Sequence, residues 1–511
     1  MADIRVSRRV INTFSELRNI RQLPIINFHP AYASLLVDFS PNEFNFEVHL
    51  PLLENVLQQI DFEKVSEGKT VEIPVVYGGE HGPDLAETAA MSGLSESEVV
   101  ALHTSSPYFV AFLGFSPGFP YLLGLDPRLA VSRKPVPRTI VPRGSVAIGG
   151  NQTGLYPTVT PGGWQIIGRT PISVFENEDF EKPIFQPGDQ IQFKKISEFR
   201  NSPAGKSELV QEADDANRTG VVSGGFTDLR ARKGPLFGRT HLGISPGGPA
   251  DPVAHQLANR LVGNIKTAGT LEWSYGEFQI QFVRDSWISL TGAFCPAYLD
   301  NLEISFWSSI PVAAGQVLSI RSSQRNLFSY LSIHGGTVGP ADNVLYHEHS
   351  EAQTPRPLHV AGAFIKKYYS SELKNLAVLR GPQISWFSDK AVDRFQIGSY
   401  FVGDETGRSG VRLVAEANLE RQADYVDREL LSEGIVNGSV QVNPAGQPML
   451  LYCEQQTTGG YPKIATVISA DIYKIGQLRR GDDIRFAWVD FDIAINRYRE
   501  LQRDLGEAIE Y

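Results

Sequence analysis

Three short glycine-marked segments occur twice in this chain, in the same order, and this repetition constrains the fold more than any other feature of the sequence. In the first half GSVAIGG (144–150) precedes PGGWQIIG (161–168) and QPGDQIQF (186–193); in the second half GSVQVNP (438–444), TGGYPKIA (458–465) and RRGDDIRF (479–486) follow the same plan. Gly144 and Gly162 are 18 positions apart and Gly438 and Gly459 are 21, while Trp164 to Gly188 spans 24 and Tyr461 to Gly481 spans 20. Landmarks shared in order and spacing predict two related β domains, each closed by a Gly-Asp turn into a last strand. The pairs Gly162-Gly163 and Gly459-Gly460 then occupy equivalent places. Paired glycines permit positive φ or close approach by another backbone or a ligand, so each pair marks a tight turn or a pocket wall.

A chain of 511 residues exceeds what one core can organise. The expected division is an N-terminal α/β domain (1–106), a β domain (107–196), a polar linker (197–219), a β-rich domain (220–370) and a second β domain with a closing helix (371–511). The fold class is therefore α+β, mostly β, with tandem β-barrel domains behind a small N-terminal α/β domain. Helical periodicity appears at HLPLLENVLQQIDF, DLAETAAMSG, LSESEVVALHTS, DPVAHQLANRLVGN and FDIAINRYRELQRDLGEAI. Ser95 and Glu98 form a capping-box pattern. The uncharged run Tyr108–Leu125 holds three glycines and two prolines, which suits a buried strand and structured loop, not a membrane span.

With 47 basic against 57 acidic residues and no basic run, nucleic acid and anionic membrane are unfavourable partners; a small-molecule substrate fits better. Two cysteines, Cys295 and Cys453, support neither a disulfide framework nor a CxxC zinc site, and no metal site is expected; the composition suits the cytoplasm. GKT at Gly68 and GKS at Gly205 lack the leading glycine of a phosphate-binding loop, having Glu63 and Arg200 there. No His-Glu-x-x-His motif occurs. The methionines are Met1, Met91 and Met449, so no Met-Lys site for covalent biotin exists.

Candidate site residues gather in two places. LGFSPGFPYLLGL alternates proline, glycine and aromatic side chains, offering Phe115, Phe119 and Tyr121 as a rigid concave wall. Around the first glycine pair stand Trp164 and Arg133, Arg138, Arg143 and Arg169, whose guanidinium forks suit carboxylate or phosphate. Around the second pair, Gln441, Glu454, Tyr461 and Lys463 combine a carboxylate, a phenol and an amine suited to proton transfer and oxyanion stabilisation. His103 is either a satisfied core histidine or a proton carrier. Asp251 reads first as a helix N-cap and second as an acid.

VEIPVVYGGEHGPDL, LGFSPGFPYLLGL, VPRGSVAIGG and PGGWQIIGRTP resemble the allophanate hydrolase subunit 1 family, which includes Kip-type kinase inhibitors and the B-type subunit of 5-oxoprolinase. GISPGGPADPVAHQLANRLVGN, YLSIHGG, LLSEGIVNGSVQV and TTGGYPKIATVISADIYKIGQL resemble its companion, allophanate hydrolase subunit 2 or the C-type subunit of 5-oxoprolinase. The resemblance covers nearly the whole chain and implies cyclophilin-like barrels in both halves. It implies an ATP-dependent amidase that hydrolyses 5-oxoproline to glutamate with a separate LamB/YcsF-like protein, the A-type subunit of 5-oxoprolinase. ATP would be accompanied by Mg, and homo-oligomerisation is left open. Its other settings are a carboxyltransferase component of the urea carboxylase type, receiving biotin from another chain, and a non-catalytic regulator that docks on a kinase. The chain departs from the pattern in its second half: Asp228 and Gly238-Arg239 replace a compact Gln-Asp-x-Gly-Arg turn, TVGPADNVLYHEHS replaces a Gly-Ser-Arg-x-Thr stretch, and Glu454 stands where an aspartate is common.

Overall fold

The computed structural model describes residues 3–62, 68–175, 179, 182–199, 218–224, 228–322, 327–341, 344–348, 352–369 and 374–510. The expected linker 197–219 lies almost wholly outside the described residues.

The first barrel is built from β1 (Thr70–Tyr77), β2 (Tyr108–Leu113), β3 (Pro120–Leu123), β4 (Ser145–Gly149), β5 (Gln152–Leu155), β6 (Gln165–Arg169) and β7 (Gln190–Lys195). The second uses β8 (Asn375–Arg380), β9 (Tyr400–Gly407), β10 (Gly410–Ala415), β11 (Ser439–Val442), β12 (Pro448–Leu451), β13 (Lys463–Val467) and β14 (Asp483–Trp488). Around the first closed barrel the strands run β6-β1-β7-β2-β3-β5-β4; around the second they run β13-β8-β14-β9-β10-β12-β11. Each strand of the second barrel thus follows its counterpart by seven in the numbering. Both barrels contain one parallel pair, β1 with β7 and β8 with β14. The repeat seen in the sequence is a duplication of the whole barrel, because closure satisfies the edge strands that a lone sheet leaves open.

The first barrel takes β1 from residues ahead of 107, together with the helices Leu85–Ser92 and Glu96–His103 between β1 and β2. The segment expected to form a separate N-terminal domain therefore supplies a barrel strand. What stands outside the barrel there is the helix Ile4–Arg18, the antiparallel hairpin Ile25–Pro30/Leu35–Phe39 and the helix Phe46–Gln59. The capping box forms: the Ser95 hydroxyl accepts from the Glu98 N–H while the Ser95 N–H donates to the Glu98 carboxylate.

Between the barrels, two antiparallel sheets enclose a core containing Trp273, Phe278, Phe282 and Leu331. The helix Pro252–Leu261 lies on one of them, where Ser289 and Thr291 donate to the Ala258 and Ala254 carbonyls.

Candidate functional site at the junction of the two halves

Beside each barrel a two-stranded ladder carries the glycine pair. Arg138–Val141 pairs with Thr160–Gly162, and Glu433–Gly434 pairs with Thr458–Gly459. None of the four glycines adopts positive φ. Close approach is the reason for the first of each pair: a Cβ on Gly162 would lie 2.5 Å from the Tyr156 hydroxyl, and one on Gly459 would lie 2.6 Å from Ile435. Gly163 meets only ordinary contacts at 3.6 Å, and Gly460 faces the Leu430 carbonyl at 3.1 Å.

The same bond anchors both ladders. In the first barrel Asp84 accepts from the Ile166 N–H at 2.7 Å and from Arg138 at 2.6 Å, with Lys134 at 3.0 Å. In the second, Gln383 accepts from the Lys463 N–H at 3.1 Å and donates to Glu433 at 2.7 Å. Ile166 and Lys463 are equivalent positions, as are Trp164 and Tyr461. Burial would raise the Asp84 pKa, but Arg138, the Ile166 N–H and Lys134 outweigh it and hold the carboxyl below its usual range.

The loop after β2 brings the halves together. Its turn requires Phe115 at φ 65° and Gly118 at φ 72°. A bulky residue in the left-handed region is strained, and such strain concentrates at binding sites. Gly118 N–H donates to the Leu242 carbonyl at 2.9 Å, Leu113 bridges Leu242, and a Cβ on Gly243 would lie 2.8 Å from the Ser116 carbonyl oxygen. A Cβ on Gly114 would collide with the Thr458 hydroxyl. Ser245 donates to the Cys453 carbonyl at 3.4 Å. The loops GFSPGF, HLGIS and QQTTGG, hundreds of residues apart, thus share one junction. The hydroxyls of Ser116, Thr457 and Thr458 are buried there without hydrogen-bond partners.

On the first-barrel side the junction is walled by aromatic rings. Phe119 packs edge-on to Tyr156 and Trp164, Phe115 edge-on to Phe119, and Tyr121 stacks on Phe112. Arg133 lies over Trp164 at 5.7 Å. Arg138 has one guanidinium nitrogen, Nη1, buried and unpartnered. Arg169 is turned elsewhere, donating to the Arg143 carbonyl and lying over Phe199.

On the second-half side lies a charge network. Arg408 donates to Glu272 at 2.5 Å, to Glu454 at 2.8 Å and to the Gly248 carbonyl. Arg232 reaches Glu454 at 3.1 Å and Glu272 at 3.4 Å. Glu272, 2% exposed, also accepts from Tyr330 and the Ala250 N–H at 2.7 Å each. Burial raises the Glu272 pKa against the pull of Arg408, and lifts the adjacent Cys453 thiol to about 12. Sequence reasoning missed Arg408, Arg232 and Glu272. The available signal was Glu272 itself, a lone acid in the apolar run TLEWSY, which burial obliges to find a cation.

Asp251 has its N-cap role, accepting from the N–H groups of Val253 and Ala254 at 3.0 and 2.9 Å. It also accepts from Tyr369 and Gln477, and its complete burial lifts its pKa to about 6. His103 lies in the first barrel's interior, 0% exposed, bonded to Tyr77 and Thr153 at 2.8 Å each, with its pKa depressed to about 3 by burial. An imidazole satisfied on both nitrogens and closed to solvent is a core residue, so the proton-carrier reading has no geometric support.

The second-half trio is dispersed. Lys463 is 4% exposed and paired with Glu433 and the Gly434 carbonyl, and burial lowers its pKa. Tyr461 is 43% exposed, with its carbonyl accepting from Gln441. Glu454 joins the arginines; among the described residues no hydrogen bond links it to Tyr461 or Lys463.

Residues 1–185 match the family described as Carboxyltransferase domain, subdomain C and D, and residues 242–345 and 340–488 match Carboxyltransferase domain, subdomain A and B. Fold and junction therefore define a carboxyltransferase-domain protein with both subdomain pairs in one polypeptide. The chain is 43% identical over 182 residues to the B-type subunit of 5-oxoprolinase from Bacillus subtilis, covering 33% of this chain and 75% of that protein. It is 32% identical over 302 residues to the C-type subunit of 5-oxoprolinase from Escherichia coli K12, covering 55% of this chain and 94% of that protein. A stretch of 127 residues is 56% identical to the B-type subunit from Escherichia coli O157:H7, covering 25% of this chain and 58% of that protein. The crystal structure of TTHA0988 superposes with a TM-score of 0.79 at 31% identity, covering 95% of this chain and 98% of that one. The chain belongs to the family of the B-type and C-type 5-oxoprolinase subunits, with the two fused.

Proposed function

We propose that the chain is the fused B/C component of a cytoplasmic, ATP-dependent 5-oxoprolinase, completed by a separate LamB/YcsF-like A component. The observation that carries this reading is the junction, where loops from the B-like and C-like halves meet around buried, unpartnered hydroxyls. A reaction confined to either half needs no such meeting.

In this reading the aromatic wall holds the apolar face of a small cyclic amide, and Arg133 and Arg138 hold its carboxylate or a phosphate. The unpartnered Nη1 of Arg138 is the donor that such an anion would satisfy. ATP, when bound, would supply the phosphoryl group that, carried on the amide oxygen, opens the carbonyl carbon to water; the ring C–N bond then breaks, and hydrolysis of the resulting acyl phosphate releases inorganic phosphate and glutamate. In this reading Glu454, partly exposed and paired with Arg408 and Arg232, accepts a proton from water, and Arg408 fixes its orientation. Lys463 supports the ladder from beneath, paired with Glu433, and acts as a positioning residue.

The test combines the chain with ATP, Mg, 5-oxoproline and the LamB/YcsF-like component. The expected result is substrate-dependent release of ADP and glutamate; ADP release that ignores 5-oxoproline overturns the proposal. The family description also favours a carboxyltransferase reading, for which copurification with a biotinylated protein would speak.

A further inference from the structure

The first strand of the N-terminal hairpin, Ile25–Pro30, carries two buried polar side chains, Asn27 and His29, two residues apart and therefore on one face. Asn27 Oδ1 accepts from the Gly238 N–H at 2.9 Å, which fixes its amide, and Nδ2 donates to Asp38 Oδ2 at 3.0 Å. His29 Nε2 lies 3.0 Å from the same carboxylate oxygen, and Nδ1 lies 3.1 Å from the Thr457 carbonyl oxygen. That carbonyl also accepts from the Ile435 N–H at 3.0 Å. The bonds thus run from Gly238 through the hairpin into residue 457, next to the strand Thr458–Gly459 of the second ladder.

Both ring nitrogens of His29 therefore face acceptors. A neutral imidazole donates through one nitrogen only, so one of the two contacts would set lone pair against lone pair in a site where His29 is 1% exposed. Only the imidazolium satisfies both. The surroundings agree with a single charge placed here. Asp38, on the second hairpin strand, supplies the negative partner. His241 approaches from the central domain, where Thr240 donates to the Phe28 carbonyl and Phe14 packs on the His241 ring. Burial first, then the positive charges of Arg18 and His29, hold His241 down at about 4, so that ring stays neutral. On the ladder, Gly434 packs against His29, and its neighbour Glu433 is paired with Lys463.

We infer that His29 is a positioning residue for the reaction proposed above, holding residues 457–459 in register with the first half through a doubly protonated ring. The inference rests on the reading of the junction as the reacting site. Thr458 is the residue that meets Gly114 of the loop after β2, and the hydroxyls of Thr457 and Thr458 are among those left unpartnered there. The hold is complete while the ring keeps both hydrogens and is lost as pH rises and one leaves, because a neutral ring releases one end of the bridge. Asp38 sets the pH at which this happens, since its charge favours the protonated ring.

The test starts with the intact chain labelled with nitrogen-15 histidine and followed by NMR between pH 6 and 9, with His29→Gln identifying the signal. At pH 7 both ring nitrogens of His29 are expected to carry hydrogen, and Asp38→Asn should move the loss of one of them down by about one pH unit. Assayed with the LamB/YcsF-like component, the KM for 5-oxoproline should rise about fivefold over the same alkaline limb, and at lower pH in Asp38→Asn. In His29→Gln it should be raised already at pH 7 and then stay flat. Backbone hydrogen exchange at pH 7 should be faster over residues 455–460 in His29→Gln, with matched melting curves excluding general unfolding. A single N–H on the His29 ring at pH 7 overturns the inference. So does exchange that His29→Gln leaves unchanged, or a KM profile that Asp38→Asn leaves in place. If the parent releases no ADP in response to 5-oxoproline, the proposed function falls by itself, and the protonation and exchange results still decide this inference.

Discussion

At the residue scale, the buried histidines give the protein a pH dependence whose sign can be worked out. The pKa of His103 is depressed to about 3, and those of His241 and His255 to about 4, from an ordinary 6.5, all chiefly by burial. An unfolded chain protonates these rings below pH 6.5 while the folded one keeps them neutral, so their contribution is fully present above 6.5 and is lost as pH falls toward 4. Asp251, raised to about 6 by burial, works the other way: the fold keeps a proton that an unfolded carboxyl has released, so its share is lost as pH rises from about 4 through 6. For His103 alone the loss at pH 5 is about 2 kcal/mol relative to neutral pH. His103→Gln should therefore lose less stability between pH 7 and pH 5 than the parent, measured by denaturation at each pH; equal slopes would show that His103 titrates normally. The glycine pairs make a second residue-scale case. Gly162→Ala forces the Tyr156 ring to move and should lower stability by about 1–3 kcal/mol, whereas Gly163→Ala, with Pro137 at 3.6 Å, should stay within about 0.5 kcal/mol. Equal melting temperatures for the two variants would count against the packing argument.

At the scale of elements, the two ladders show how one scaffold carries different charges. Asp84 with Arg138 in the first barrel corresponds to Gln383 with Glu433 in the second, and each anchors the strand beyond the glycine pair by accepting from an N–H near its start, that of Ile166 or Lys463. Asp84→Ala leaves that N–H unpaired and also strips Arg138 and Lys134 of a partner. It should cost about 3 kcal/mol, against about 2 kcal/mol for Gln383→Ala, which removes a neutral side chain and leaves Glu433 its ion pair with Lys463. Chemical denaturation of both variants checks the difference, and a larger loss at Gln383 would contradict it. The barrels themselves were legible in the sequence because close packing at Gly162 and Gly459 and the Gly188 and Gly481 turns fix residue identity locally. The ladder partners were not, since Asp84 and Gln383 lie 82 and 80 residues from the strands they anchor. Nothing in local periodicity marks a residue whose partner is so distant. For the same reason Glu454 was visible beside a glycine pair, while Arg408, 46 residues away, was not.

At the scale of the whole molecule, the halves are joined by more than the chain. The N-terminal hairpin Ile25–Pro30/Leu35–Phe39 lies against the second barrel's ladder, with His29 Nδ1 bonded to the Thr457 carbonyl at 3.1 Å and Nε2 to Asp38 at 3.0 Å. The Gly238 N–H donates to Asn27, and Thr240 donates to the Phe28 carbonyl. Gly434 is the tightest point of this contact, because a Cβ there would lie 2.6 Å from Leu36 and 2.8 Å from His29. Residues 1–199 and 218–511, co-expressed as separate chains, should therefore assemble and elute together. Gly434→Val in the second chain should abolish co-elution, since its branches would enter space that the hairpin fills. Each barrel should still melt cooperatively, because the hairpin is no part of either barrel's closure. Co-elution that survives Gly434→Val would mean that the Leu113–Leu242 bridge and its neighbours suffice to hold the halves together. Loss of co-elution with intact barrels would instead make the hairpin the clasp that aligns the aromatic wall with the Arg408 network. Any activity of the assembled chains should then fall in proportion to the fraction dissociated.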